Sequence, residues 1–317
     1  MMLKAWASIS IMALAICVIS AGCLCPSAGT VKECIVVGGM NRTYLVHIPA
    51  AFDGNTKLPL VVALHPFTGT GETMEWITGF STLADRENFL VAYPDGHQRV
   101  WNADPSAPSS ILGPPADDVA FISALIDHLI DAYSVDPDRV FVTGASSGGL
   151  MTHRLACELT DKLAAAASVM ITLPVGWPDY EKPSKPLPFL MIQGTADPFF
   201  PWQGGTVNEG PFRHTDYLSA EDSVRFWVEE NGASSPPTET NLPDADPNDG
   251  TTVFRDIFAP GPGGAEVDFY GIDGGGHTWP GNTDACLEFL VGRTSRDINA
   301  TQVIWDFFKA HTRNAVN

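Results

Sequence analysis

Apolar and polar residues alternate along this chain in two different rhythms. Continuous apolar runs of strand length occur at "LPLVVALH" (58–65), "NFLVAYP" (88–94), "RVFVTG" (139–144) and "PLPFLMIQG" (186–194). Runs of that kind predict strands buried on both faces, as in a parallel sheet. Between them lie segments with helical spacing. In "DDVAFISALIDHLIDAY" (117–133), Val119, Ile122, Ile126, Leu129 and Tyr133 share one face, and acidic residues open the segment. "SGGLMTHRLACEL" (147–159) predicts a helix, as does "SAEDSVRFWVEENG" (219–232) with its glycine stop. "NATQVIWDFFKAH" (299–311) predicts a last helix capped by Asn299. "AAAASVM" (164–170) reads as a strand despite its alanines, and "VFRDIF" and "AEVDFYGI" close the sheet. Upstream, "ECIVV" and "TYLVHI" flank the turn signal "GGMN", a hairpin over 33–48. Strands alternating with helices predict an α/β protein with a mostly parallel central sheet, helices on both faces and no large lid domain. The proline-rich segment 233–252 is too polar to build a core and reads as a surface excursion.

Charge narrows the partners. With 18 Lys and Arg against 37 Asp and Glu, the net charge is −19. Polyanions are poor partners for such a chain, so neither nucleic acid nor an anionic membrane surface is expected. Lys4 is followed by no charged residue until Lys32, and the span contains the short apolar stretch "ASISIMALAICVIS" followed by "SAGC". That pattern predicts an export signal over 1–22, a linker over 23–32 and one catalytic domain over 33–315, in an extracellular or cell-surface protein. The "SAGC" ending also resembles a lipobox, with Cys23 as the lipid-bearing residue, although Ser20 stands where leucine is usual. Release after cleavage, a lipid anchor at Cys23 and an uncleaved anchor stay open; a membrane enters only through that terminus. Of six cysteines, Cys17 lies in the signal and Cys23 and Cys25 flank the expected cut. The spacing of Cys34, Cys157 and Cys286 fixes no pairing, and no Cys or His cluster has metal-ligand spacing, so no metal site is expected.

The chemistry concentrates in "TGASSGG" (143–149), which stands between a predicted strand and a predicted helix. Strand, sharp turn and helix is the setting of a nucleophile elbow, G-x-S-x-G. Ser146 has Gly144 and Gly148 two residues to either side; Ser147 has Ala145 and Gly149. Only Ser146 fits at both ends, which makes it the candidate nucleophile. Ser147 then opens the helix, where its backbone N–H can stabilise an oxyanion. Nucleophile, acid and histidine follow in that chain order in such proteins. Asp197 in "QGTADPFFP" follows a strongly apolar strand, and His277 in "GIDGGGHTWPG" follows the strand "AEVDFYG". Asp273 competes for the acid role, four residues before His277. His128 and His153 fall on helices and read as structural or solvated; His65 reads as shaping its loop. In "ALHPFTG", Pro66 has no N–H, so the backbone N–H of Phe67 is the second oxyanion candidate. This set predicts acyl transfer without a cofactor.

These motifs, with "GTADPFFPWQGG", "GGGHTWPG", "YPDG", "WNA", "DDVAFISALIDHL" and "GRTSRDINATQVIWDFF", resemble the secreted polyhydroxybutyrate depolymerase-like esterases. These are α/β-hydrolases related to feruloyl and acetylxylan esterases. The resemblance runs from about residue 35 to 312. It implies the triad Ser146–Asp197–His277, oxyanion amides at Phe67 and Ser147, and Trp101 and Trp279 near the cleft. It implies an ester substrate: feruloylated or acetylated polysaccharide, or hydroxyalkanoate oligomer. The chain departs from the family in three places. "HPF" replaces His-Gly plus a small residue, "DPSAP" (104–108) replaces a cysteine-bearing segment after "WNA", and Phe199, Phe200 and Trp202 make the loop after Asp197 aromatic. Those three rings are expected at the cleft mouth, reading the acyl group. Acetylxylan esterase, peptidase and thioesterase stand as alternative activities of the same fold, and an acyl-sugar-binding surface lipoprotein as the non-enzymatic one.

Overall fold

The computed structural model describes residues 28–106, 115–208, 214–282 and 288–313. The expected export signal (1–22), Cys17, Cys23, Cys25 and Cys286 lie outside the described residues. The chain opens with the hairpin β1 (Gly29–Val37) and β2 (Met40–Ile48), whose turn residues Gly38 and Gly39 both take positive φ, 58° and 78°. Glycine adopts that turn at no steric cost, and it matches the strand twist. Gly29 already pairs with Ile48. The sheet therefore takes in residues 29–32, which the sequence reading gave to the linker, because β2 is long enough to template them.

Then follow β3 (Leu58–Leu64), α1 (Gly71–Thr78), α2 (Phe80–Glu87), β4 (Leu90–Pro94), α3 (Asp118–Ala132), β5 (Val135–Ala145) and α4 (Ser147–Glu158). Next come β6 (Ala165–Val169), α5 (Trp177–Tyr180), β7 (Phe189–Gly194), the small hairpin β8 (Gly205–Asn208) and β9 (His214–Tyr217), and α6 (Ala220–Glu230). The chain closes with β10 (Thr238–Asn241), β11 (Thr252–Phe258), β12 (Val267–Asp273), α7 (Glu288–Val291) and α8 (Ala300–Lys309). The main sheet runs β1-β2-β4-β3-β5-β6-β7-β12-β11-β10, and its six central strands are mutually parallel. Side chains of β3 alternate between the two layers. Leu60, Val62 and Leu64 join the core under α3, α4 and α6, whereas Val61 and Ala63 join the core under α1, α2 and α8. Both faces are covered, which is why these strands read as unbroken apolar runs.

Residues 233–252 are not wholly irregular. Thr238–Asn241 pairs with β11 as the sheet's last strand. All four side chains are exposed, so backbone pairing alone holds the strand and no hydrophobic pattern announces it. Asn299 caps α8, its side chain accepting from the Gln302 N–H.

His153 on α4 is fully buried, stacked on Phe189 at 4.7 Å, and its Nδ1 accepts from Trp227 Nε1 at 2.8 Å. Burial drives its pKa down to about 3. Unfolding returns the ring to about 6.5, so the unfolded chain binds the extra proton. The stability His153 confers is complete above about pH 6.5 and declines as pH falls toward 3. His153→Gln keeps an acceptor but cannot titrate. Thermal melts should show a lower Tm than the parent at pH 8 and a smaller fall in Tm from pH 7 to 4.5. Parallel pH dependences would contradict this origin of the acid sensitivity.

Candidate active site

β5 ends in a turn whose central residue, Ser146, adopts φ 54° and ψ −119°. For a residue with a Cβ this is a sparsely populated region and a store of strain. The surroundings hold it there. Ser146 N–H donates to the Val169 carbonyl at 2.9 Å. A Cβ on Gly144 would lie 2.2 Å from the Gly148 carbonyl oxygen, and one on Gly148 would lie 2.3 Å from that of Leu64. Glycine at both positions is thus a packing requirement of the turn, as the G-x-S-x-G spacing suggested. The Ser146 side chain is nearly buried at the start of α4, while the hydroxyl of Ser147 is buried with no hydrogen-bond partner.

The tips of the neighbouring parallel strands are tied in series. Met170 N–H donates to Ile192, Thr195 N–H to Ile272 and Ala196 N–H to Gly275, at 2.9 Å each. The loops after β7 and β12 therefore leave the sheet side by side, and they bring Asp197 and His277 together: Asp197 Oδ2 and His277 Nδ1 are 2.8 Å apart. Asp197 Oδ1 accepts the N–H groups of Phe199 (2.8 Å) and Phe200 (2.9 Å). Gln193 Nε2 donates to Asp197 Oδ2 at 3.2 Å and to the Phe200 carbonyl at 3.1 Å. The carboxylate is thus buried and fully saturated, aimed at the imidazole. His277 N–H donates to Val291 at 2.6 Å, fixing the loop against α7. Asp273 instead accepts from Thr195 Oγ1 at 3.1 Å, and Thr195 Oγ1 accepts Gly274 N–H at 2.9 Å. Its carboxylate serves the turn at the end of β12.

His65 closes the loop after β3. Its Nε2 accepts Gly96 N–H at 2.9 Å, so the proton sits on Nδ1 and is donated to the Pro66 carbonyl at 2.8 Å. Burial holds its pKa below the usual histidine range. With both nitrogens engaged, this ring is a neutral loop brace. Trp101 Nε1 donates to the His65 carbonyl at 2.8 Å, and the two rings lie 4.8 Å apart. Phe67, next along, is 58% exposed. The N–H of Ser147 opens α4, where no preceding turn supplies a carbonyl.

The aromatic residues divide. Phe199 is 47% exposed and meets the His277 ring edge-on at 5.0 Å; Phe200 lies 5.7 Å from the same ring and packs on Tyr217. Trp202 is half-buried and packs inward against Phe254 and Phe269. Two other expectations also change. Trp101 is buried to brace His65. Trp279 is 3% exposed, bonded to Thr301 Oγ1 at 3.0 Å and packed on Phe80, so both indoles are largely buried. Gln193 was missed; a lone polar residue inside "FLMIQG" was its signal. The described residues hold no cluster of His, Cys, Asp or Glu suited to a metal ion, and Cys34 and Cys157 are free thiols.

The sheet order, the elbow and the helices on both faces define an α/β-hydrolase. The acetyl xylan esterase from Aspergillus awamori has the same fold, with a TM-score of 0.55 at 19% identity over 80% of this chain and 97% of its own. No family model matches the chain. The Nocardia uniformis subsp. tsuyamanensis protein "Putative esterase NocK" is 35% identical over 292 residues, 88% of this chain and 83% of its own length. This chain belongs to that esterase family and is a carboxylic-ester hydrolase. Feruloyl esterase B of Piromyces equi is 29% identical over 74% of the chain, and an acetylxylan esterase of Coprinopsis cinerea 28% over 70%. The chain spans 42% and 62% of those two relatives' lengths.

Proposed function

We propose that the chain is an exported serine esterase that removes feruloyl or acetyl groups from plant polysaccharide, with Ser146, His277 and Asp197 as its catalytic set. The observation that carries this is the 2.8 Å contact between the buried, saturated Asp197 carboxylate and His277 Nδ1, on loops that leave the same edge of the parallel sheet as the strained Ser146 turn. With Nδ1–H donated to Asp197, the lone pair on Nε2 is free to accept the Ser146 hydroxyl proton as Oγ attacks the ester carbonyl. The carbonyl oxygen becomes an oxyanion facing the N–H groups of Phe67 and Ser147. His277 then protonates the leaving alcohol. A water, deprotonated by the same ring, releases the acid and restores Ser146. No step calls for a cofactor. The names of the relatives favour feruloyl and acetyl esters over hydroxyalkanoate oligomers. Export rests on the signal-like pattern of residues 1–22.

Phe199 is the ring best placed to read the acyl group, being half-exposed and against His277. Stacking on a planar acyl group adds about 0.5–1.5 kcal/mol beyond area, roughly two- to tenfold in binding. Phe199→Ala should lower kcat/KM for methyl ferulate by that factor more than for 4-nitrophenyl acetate. Because the ring also touches His277, a loss common to both substrates is expected, and the ratio is what decides. An unchanged ratio means Phe199 does not read the acyl group. Activity of the parent on neither methyl ferulate nor acetylated xylan would overturn the substrate assignment.

A further inference from the structure

A groove of about 490 Å³ lies on the α1/α2/α8 layer and contains none of the proposed catalytic residues. Its volume falls within the range of small-molecule sites, roughly 300–1,000 Å³. On one side stands Trp76, 59% exposed on the outer face of α1. The same helix buries Met74 and Thr78, so this large ring is left in water although its helix has an apolar seat. Thr82, Arg86, Asn282, Asn299 and Gln302 line the same groove.

These polar groups are pre-positioned. Arg86 donates to Gln302 Oε1 at 3.1 Å, Asn282 Nδ2 donates to the Ile77 carbonyl at 3.0 Å, and Asn299 Oδ1 accepts Gln302 N–H at 2.9 Å. Gln302 is engaged at both ends, its Nε2 donating to Asp306 at 3.1 Å, so the donors turned to a ligand are the Asn299 amide nitrogen and the Arg86 guanidinium, which retains further N–H groups after one bond. A flat apolar ring in a groove that also carries fixed N–H donors suits a ligand with apolar C–H faces and a fringe of hydroxyls. That is the chemistry of a pyranose. The net charge of −19 disfavours a uronate-rich chain, so the ligand is neutral.

We propose that this groove is a second site that binds the neutral pyranose backbone of the polysaccharide. Asn282 lies five residues beyond His277, and buried Trp279 between them contributes to the groove. One wall of the groove and the histidine loop are therefore a single stretch of chain, which ties the groove to the catalytic loop. The choice of a xylan-type backbone rests on the polysaccharide-ester reading; the sugar-binding chemistry of the groove does not.

The test is calorimetric titration of xylohexaose into the full chain carrying Ser146→Ala, alone and combined with Trp76→Ala or Trp76→Phe. Saturable binding is expected, weakened about thirtyfold by Trp76→Ala and partly kept by Trp76→Phe. Trp76→Ala on the active enzyme should leave Tm and kcat/KM for 4-nitrophenyl acetate unchanged and lower the rate on acetylated xylan. No saturable heat at about 10 mM xylohexaose, or binding equally strong in Trp76→Ala, overturns the proposal. Failure of the esterase reading would show separately, as inactivity of the parent on 4-nitrophenyl acetate.

Discussion

Ser146→Ala should reduce hydrolysis of 4-nitrophenyl acetate on the order of 10⁶-fold, leaving only background from the remaining site. Ser147→Ala should stay within a few-fold of the parent. The two serines are adjacent, yet they differ in every respect that matters. Ser146 occupies the strained position between β5 and α4, and its flanking glycines are required by contacts under 2.4 Å. The Ser147 hydroxyl is buried with no partner, so removing it deletes an unsatisfied polar group; stability should be equal or higher. Its proposed contribution is a backbone N–H, which alanine retains. Melts of both variants alongside the assay separate lost chemistry from lost fold. Reversed activities would place the nucleophile at Ser147.

Asp197→Asn should lower kcat by about 10⁴, by analogy with other triads. The cause is tautomeric. In the parent, the carboxylate accepts on Oδ1 from the Phe199 and Phe200 N–H groups and on Oδ2 from Gln193 and His277. An asparagine keeps its oxygen toward the two backbone donors and turns its NH₂ toward His277. The ring must then accept at Nδ1 and carry its proton on Nε2, where it cannot take one from Ser146. Asp273→Asn should cost at most a few-fold, since that carboxylate serves Thr195 in the turn at the end of β12. Steady-state kinetics on both variants decides it; a larger loss at Asp273 would move the acid to the histidine's own loop.

Strands β3 to β7 were legible because burial on both faces leaves few polar positions in their runs. α1 and α2 were not, since each has eight residues and Gly79, at φ 63°, breaks them apart before a helical period builds up. β10 was hidden for the opposite reason: an edge strand with four exposed side chains has no hydrophobic signature. Within the site, Ser146 was readable from glycine spacing, because the contacts that demand those glycines are local. Asp197 and His277 were readable from chain order and strand ends. Trp101, Trp202 and Trp279 misled, since an aromatic near a motif in sequence can point either way. Which way it points depends on contacts such as Trp279 to Thr301 Oγ1, 22 residues on, that no local pattern encodes. Gln193 showed only as one polar letter in an apolar strand, and its role depends on a loop that turns back over it.

The central claim is that Ser146 is the activated nucleophile. Treating the native enzyme with a fluorophosphonate probe and mapping the adduct by peptide mass spectrometry tests it most directly. The account predicts one stoichiometric adduct on Ser146, formed in step with loss of esterase activity and absent from Ser146→Ala and strongly slowed in Asp197→Asn. An adduct on Ser147, or full esterase activity with no serine labelled, would contradict it.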